Sequence, residues 1–196
     1  MVTFKKREVV YRPYETVLKL IVDVLMIVCA TYLIMMAFFT NTTITGHSMN
    51  NTLYNNDKVL INKIAYTFHS PERYDLIMFE NETVGITGTY VKRIIGLPGE
   101  TVQIIDGAVY IDGKILEDDV IKGYINNPGL ASEPIELAYD EYFVLGDNRN
   151  NSDDSRYSNI GLVKRNNIIG KPWLRVSPVS SFGPINVNEI KTETEE

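Results

Sequence analysis

Ser48 and Lys92 are the residues of this 196-residue chain whose types and surroundings could supply a nucleophile and a base. Ser48 sits in Gly46-His47-Ser48-Met49-Asn50-Asn51-Thr52-Leu53, a few residues after a long apolar run. A serine hydroxyl is a poor nucleophile until a neighbouring base takes its proton. The usual base is histidine, and the chain has two. His47 adjoins Ser48, and in an extended segment adjacent side chains point to opposite faces, so it is expected out of reach. His69 lies in His69-Ser70-Pro71-Glu72, a turn-like surface stretch, and no His/Asp pair offers itself. Lys92 is the other candidate. It lies in Tyr90-Val91-Lys92-Arg93-Ile94-Ile95 between apolar neighbours. A lysine acts as a base only when neutral, and full burial can lower its reference pKa of about 10.4 by roughly 3–5 units. Taken singly, Lys92 equally fits an exposed lysine on an edge strand.

The elements that must hold these residues follow from hydropathy. Residues 17–39 are apolar and match the roughly 20 residues that cross a bilayer. No polar face exists from Val24 to Phe39, which disfavours a buried helix of a soluble domain. The run is too long for a cleavable signal peptide, and Thr40-Asn41-Thr42-Thr43 is no small-x-small site. Lys5, Lys6, Arg7 and Arg12 precede it, so residues 1–16 are expected in the cytoplasm and everything after Thr40 outside.

After the anchor the pattern becomes strand-like. Lys58–Asn62, Asp75–Phe79, Tyr90–Ile95, Tyr142–Leu145 and Trp173–Val176 read as strands between turn clusters. Asp106-Gly107 reads as a two-residue hairpin turn between Thr101–Ile105 and Ala108–Ile111, and Asp112-Gly113 turns the chain again. The expectation is a mainly β protein. One transmembrane helix precedes an antiparallel β-sheet domain over 40–185, with a small loop-rich β insertion at about 101–140 and an acidic, disordered tail over 186–196. The net charge of −6 disfavours nucleic acid as a partner. The single cysteine, Cys29, lies in the apolar run, so neither an internal disulfide nor a zinc site is indicated, and no cofactor or metal is expected.

Four segments in this order resemble the type I signal peptidases, membrane-anchored serine proteases that remove signal peptides from exported proteins. They are Gly46–Leu53, Arg73–Phe79, Tyr90–Glu100 and Gly146-Asp147-Asn148-Arg149-Asn150-Asn151-Ser152-Asp153-Asp154-Ser155-Arg156. The resemblance implies that Ser48 is the nucleophile, with Met49 behind it, and that Lys92 is the general base. Ser152 would orient the lysine amine, and the Ser48 backbone N–H would bind the oxyanion. Arg93, Asp147, Asp154 and Arg156 would form ion pairs that shape the site, with Asn148 and Ser155 as scaffold. The implied fold is the antiparallel β fold shared with repressor-type autoproteases.

The implied partners are signal peptides of secreted preproteins, cleaved after small residues of the Ala-x-Ala type, together with the lipid bilayer and proximity to the secretion translocon. Gly46 resembles the Gram-positive type, which lacks a serine hydroxyl in the oxyanion hole. Asn51 stands where the family usually has proline, and the loss of a fixed φ is expected to loosen the segment. Glu100 replaces a more frequent aspartate. Two other readings compete: a catalytically silent relative serving as an assembly factor for surface proteins, and a self-cleaving regulator. Intact Ser48 and Lys92 weigh against the first; the anchor, in place of a DNA-binding module, weighs against the second.

Overall fold

The computed structural model describes residues 13–83, 86–117, 119, 121 and 123–185. The N-terminal basic cluster Lys5, Lys6, Arg7 and Arg12 and the tail over 186–196 lie outside the described residues.

Two units follow one another in the chain, divided between Phe38 and Phe39. The first holds α1 (Pro13–Phe38), whose 26 residues extend about 39 Å at 1.5 Å per residue. Its apolar side chains are exposed around the whole helix, including Leu20, Ile27 and Leu33, so it lacks the one-sided stripe of a soluble surface helix. Length and composition suffice to cross a membrane, and it is the one such helix among the described residues. The chain is a single-pass membrane protein.

The second unit is built from two antiparallel sheets. The larger has the order β1-β2-β11-β3-β4-β9-β10, with β12 also pairing β11. Its strands are β1 (Phe39–Thr43), β2 (Lys58–Asn62), β3 (Leu76–Thr83), β4 (Ile86–Gly96), β9 (Glu141–Leu145), β10 (Val163–Lys164), β11 (Ile168–Ser177) and β12 (Gly183–Pro184). The smaller, in the order β7-β6-β5-β8, contains β5 (Thr101–Ile105), β6 (Ala108–Ile111), β7 (Lys114–Ile115) and β8 (Ile135–Glu136). Asp106 and Gly107 both have positive φ, 48° and 76°, as a two-residue turn that matches strand twist requires.

Two sequence expectations need correction here. Phe39 is not the last residue of the helix but the first of β1, and the polar Thr40–Thr43 stretch is a strand. Pairing with β2, Phe39↔Asn62 to Thr43↔Lys58, recruits it despite the lack of apolar alternation. Trp173–Val176 is the C-terminal part of a longer strand whose register shifts against β2 between Pro172 and Leu174 and against β3 between Ile168 and Gly170.

The register between β3 and β4 positions the chemistry. It pairs Ile77 with Lys92 and Leu76 with Arg93. Strand alternation therefore sends the two consecutive basic residues to opposite faces. On the Lys92 face Ile77, Phe79, Ile94 and Val144 form one buried cluster. On the Arg93 face Leu76 and Met78 pack with Met49 and Leu53 of the Ser48 segment. A third cluster joins the sheets through Phe143 and Leu145 of β9 against Val102 and Val109. Phe143 is fully buried there, so Phe143→Ala is expected to cost about 3–5 kcal/mol in urea unfolding of the domain.

Candidate active site

The Ser48 segment is a compact turn rather than an extended strand. Asn50 N–H donates to the His47 carbonyl at 3.1 Å, and Leu53 N–H donates to the Met49 carbonyl at 2.8 Å. The face-alternation argument against His47 therefore does not apply. Its exposed side chain lies outside the buried network, and its carbonyl accepts from the Asn148 side-chain amide at 3.1 Å. His69 is exposed in the stretch between β2 and β3.

Asn51 has φ of 82°, in the left-handed region that asparagine tolerates and proline cannot reach. The expected loosening is thus replaced by a different turn, in which asparagine suits the backbone. Gly46, with φ of 92°, is also left-handed, and its N–H donates to Asn55 Oδ1 at 2.9 Å. A side chain there meets open space, so backbone conformation is what favours glycine.

Two sets of bonds fasten this turn to the segment after β9. Asn148 N–H donates to the Ser48 carbonyl at 3.0 Å. The Thr52 hydroxyl donates to Asp147 Oδ2 at 2.5 Å. Asp147 also accepts from Arg93 Nε at 2.7 Å and Nη2 at 2.6 Å, while Arg93 Nη1 donates to the Tyr74 carbonyl. Both charged side chains are completely buried, so the fork is a fully desolvated ion pair.

Gly146 explains how the segments meet. Gly146 directly follows Leu145, the partner of Arg93 in β4, and its N–H donates to Asp154 Oδ2 at 3.0 Å. A Cβ at Gly146 would collide with the Ser152 side chain and the Ser48 carbonyl oxygen. The missing side chain is the space in which the Ser48 carbonyl and the Ser152 side chain approach each other. Ser152 Oγ is buried there without a hydrogen-bond partner among the described residues.

Lys92 is 2% exposed, and burial lowers its pKa to about 8 against the upward pull of Asp154, Asp153 and Asp147. Two of these carboxylates are occupied elsewhere. Asp147 serves Arg93, and Asp154 accepts from Arg156 Nε at 2.8 Å and Nη2 at 2.9 Å. Arg156 in turn lowers the lysine further. Ser155 Oγ accepts from the Val144 N–H at 2.9 Å, fixing the last segment to β9. Arg149 joins that segment to the insertion through a two-pronged pair with Asp119 at 2.6 and 2.7 Å. Glu100 bridges Arg73 at 2.5 Å and accepts from the Leu97 N–H at 2.8 Å, closing the turn that follows β4.

Thr52 and Gly146 are the positioning groups that sequence reasoning left without a role. The only local signal was a glycine directly after an apolar strand. Among the described residues no group of histidine, cysteine or carboxylate side chains is arranged to hold a metal ion.

Asn51→Pro, although it restores the usual family residue, is expected to lower catalytic activity at least tenfold because φ of 82° is closed to proline. Asn51→Gly is expected to retain activity. Rates of peptide-bond cleavage by the two purified variants check both.

The comparisons with known proteins agree in one direction. The family model described as signal peptidase, peptidase S26, matches residues 17–177. The signal peptidase I of Leptolyngbya laminosa is 40% identical over 148 residues, 72% of this chain and 70% of that protein. A probable signal peptidase I-2 of Synechocystis sp. is 39% identical over 71% of this chain and 64% of that protein. The signal peptidase I P of Bacillus subtilis subsp. natto is 30% identical over 86% and 93%. The chain belongs to the signal peptidase family, peptidase S26.

Proposed function

We propose that the chain is a signal peptidase I in activity, a serine endopeptidase that cuts signal peptides from exported preproteins after Ala-x-Ala-type sequences. The observation that carries this reading is a buried lysine with its pKa lowered to about 8, in the same domain as a gap at Gly146 on which the Ser48 carbonyl and the Ser152 side chain close. Family membership supports the reading over a silent assembly factor.

In this reading neutral Lys92 Nζ takes the proton of Ser48 Oγ as that oxygen attacks the carbonyl carbon of the scissile bond. The negative charge moves to the substrate oxygen, which the Ser48 backbone N–H stabilises. That N–H has no backbone acceptor among the described residues. The protonated lysine then gives its proton to the departing amine, and an acyl ester remains on Ser48. Lys92 next activates water to attack the ester, and the alcohol of Ser48 is regenerated. The unpartnered Ser152 Oγ is an acceptor ready for the lysine amine and holds it toward Ser48. Arg93, Asp147, Asp154 and Arg156 keep the framework neutral in pairs.

For orientation we propose a cytoplasmic N-terminus with the β domain outside, close to the translocon. This follows from the basic residues before the apolar run, in a chain whose anchor ends at Phe38 and whose peptidase domain begins at Phe39. Confinement to the same bilayer as the apolar segment of a signal peptide raises the encounter rate.

Purified protein in detergent or lipid is expected to cleave a preprotein, and Ser48→Ala and Lys92→Ala are expected to lose at least 10³-fold in kcat/KM. His69→Ala should retain activity. Cleavage by Lys92→Ala together with loss in His69→Ala would reverse the assignment of the base.

The pH dependence has two expected signs. Protonated lysine cannot act as a base, so kcat/KM should rise through about pH 8 and then level. Lysine keeps its proton to about 10.5 unfolded but releases it at about 8 when folded. The folded state binds fewer protons between these values, so stability should increase over that window. Lys92→Met is accordingly expected to stabilise the domain at pH 7 by about 1–3 kcal/mol, a gain that shrinks as pH approaches 10.5. Urea unfolding at both pH values measures it.

A further inference from the structure

The Ser48 segment belongs to a larger loop from Ile44 to Asp57. Its neck is closed by the Ile44 N–H donating to the Asp57 carbonyl at 2.8 Å and the Asn56 N–H donating to the Ile44 carbonyl at 2.9 Å. Asp57 Oδ2 also accepts from the Tyr54 N–H at 2.9 Å. Arg175 of β11 reaches this loop from a different strand than Arg93 does. Its Nη2 donates to the Thr52 carbonyl, and its Nε lies 3.1 Å from Asp57 Oδ2. The contact with Asp57 is ionic and not a directed hydrogen bond, because Nε finds no acceptor in hydrogen-bonding geometry. The directed bond is the one to Thr52.

We propose that Arg175 is a positioning residue for peptide cleavage, holding the Ser48 loop by tying the Thr52 carbonyl to the loop's neck at Asp57. The inference rests on the peptidase reading above. Thr52 is gripped at both polar ends, its hydroxyl by Asp147 and its carbonyl by Arg175. Its N–H donates to the Met49 carbonyl at 3.1 Å, so a displacement of Thr52 is passed within one turn to the residue beside Ser48. Arg175 is itself fixed, because its backbone pairs with Val59 of β2 and Gly183 of β12. A planar guanidinium can donate to the Thr52 carbonyl while its delocalised charge faces Asp57, which a single ammonium on a flexible stem does not reproduce. Misplacing a reacting group by about 1 Å costs on the order of 10²-fold in rate.

The test uses the full chain in detergent or lipid, with preprotein cleavage and thermal melting measured on wild type, Arg175→Lys, Asp57→Asn, Thr52→Val and the Thr52→Val/Arg175→Lys double variant. Arg175→Lys is expected to lower kcat about tenfold or more with KM within about twofold. The apparent pKa of the pH–rate profile should stay at its wild-type position, since Lys92 responds first to its burial and then to Asp154, Asp153, Asp147 and Arg156, and Arg175 is not among these charges. The double variant should lose less than the product of the single losses, because both changes act through Thr52. Asp57→Asn should reproduce the kcat loss in weaker form, and it decides the question if Arg175→Lys does not fold. Full kcat in either folded variant, a loss confined to KM, or multiplicative losses in the double variant would overturn the inference. A wild type that fails to cleave overturns instead the peptidase reading on which it stands.

Discussion

The buried fork between Arg93 and Asp147 is the interaction on which the rest of the site depends. Both charges are fully withdrawn from water, which is tolerable only because each satisfies the other and the remaining donors find Tyr74 and Thr52. Arg93 belongs to β4, Asp147 follows β9, and Thr52 lies in the Ser48 loop. One charge pair thus binds two neighbouring strands to the loop that carries the proposed nucleophile. Hydrophobic packing of Met49 and Leu53 holds the same loop from beneath, without specifying which way its polar atoms point.

The same arrangement accounts for the state of Lys92. A buried lysine near three aspartates would ordinarily keep its proton. Here Asp147 is neutralised by Arg93 and Asp154 by Arg156, so desolvation is the larger influence and the amine titrates near 8. Strand alternation makes this possible by sending Lys92 and Arg93 to opposite faces. The arginine takes the counter-ion and the lysine goes without one. Burial of an unpaired base weakens the fold at neutral pH, a cost of the kind expected where stability is given up for reactivity.

Outside the site, the division of labour is simpler. The helix requires only length and apolar composition to cross a membrane, whereas the β domain requires a register accurate to one residue. A slip of one position between β3 and β4 would exchange the faces of Lys92 and Arg93. It would leave the arginine on the face of Ile77 and Phe79, without its carboxylate.

Much of this was legible in the residues themselves. The apolar run defines the helix, β-branched alternation defines β2, β5, β6 and β9, and Asp106-Gly107 defines a hairpin, because these signals are local and repeat with the period of the structure they form. Ser48, Lys92 and Ser152 were identified through the order of four segments. The close approach of Ser152 to the Ser48 carbonyl is permitted by Gly146, whose importance lies in an absent side chain and so leaves no chemical mark in the chain. β1 was hidden because its Thr and Asn residues become a strand only when β2 is alongside. The left-handed turn at Asn51 reversed the expected effect of losing a proline, since φ is decided by how the loop closes and not by residue type alone. The sequence by itself determined which groups can act as nucleophile, base and anchor, since those are properties of single side chains and short runs. Only the tertiary structure decided which carboxylates were already paired, and hence that burial holds the Lys92 pKa down at about 8. That depends on contacts between residues such as 93 and 147, far apart in the chain.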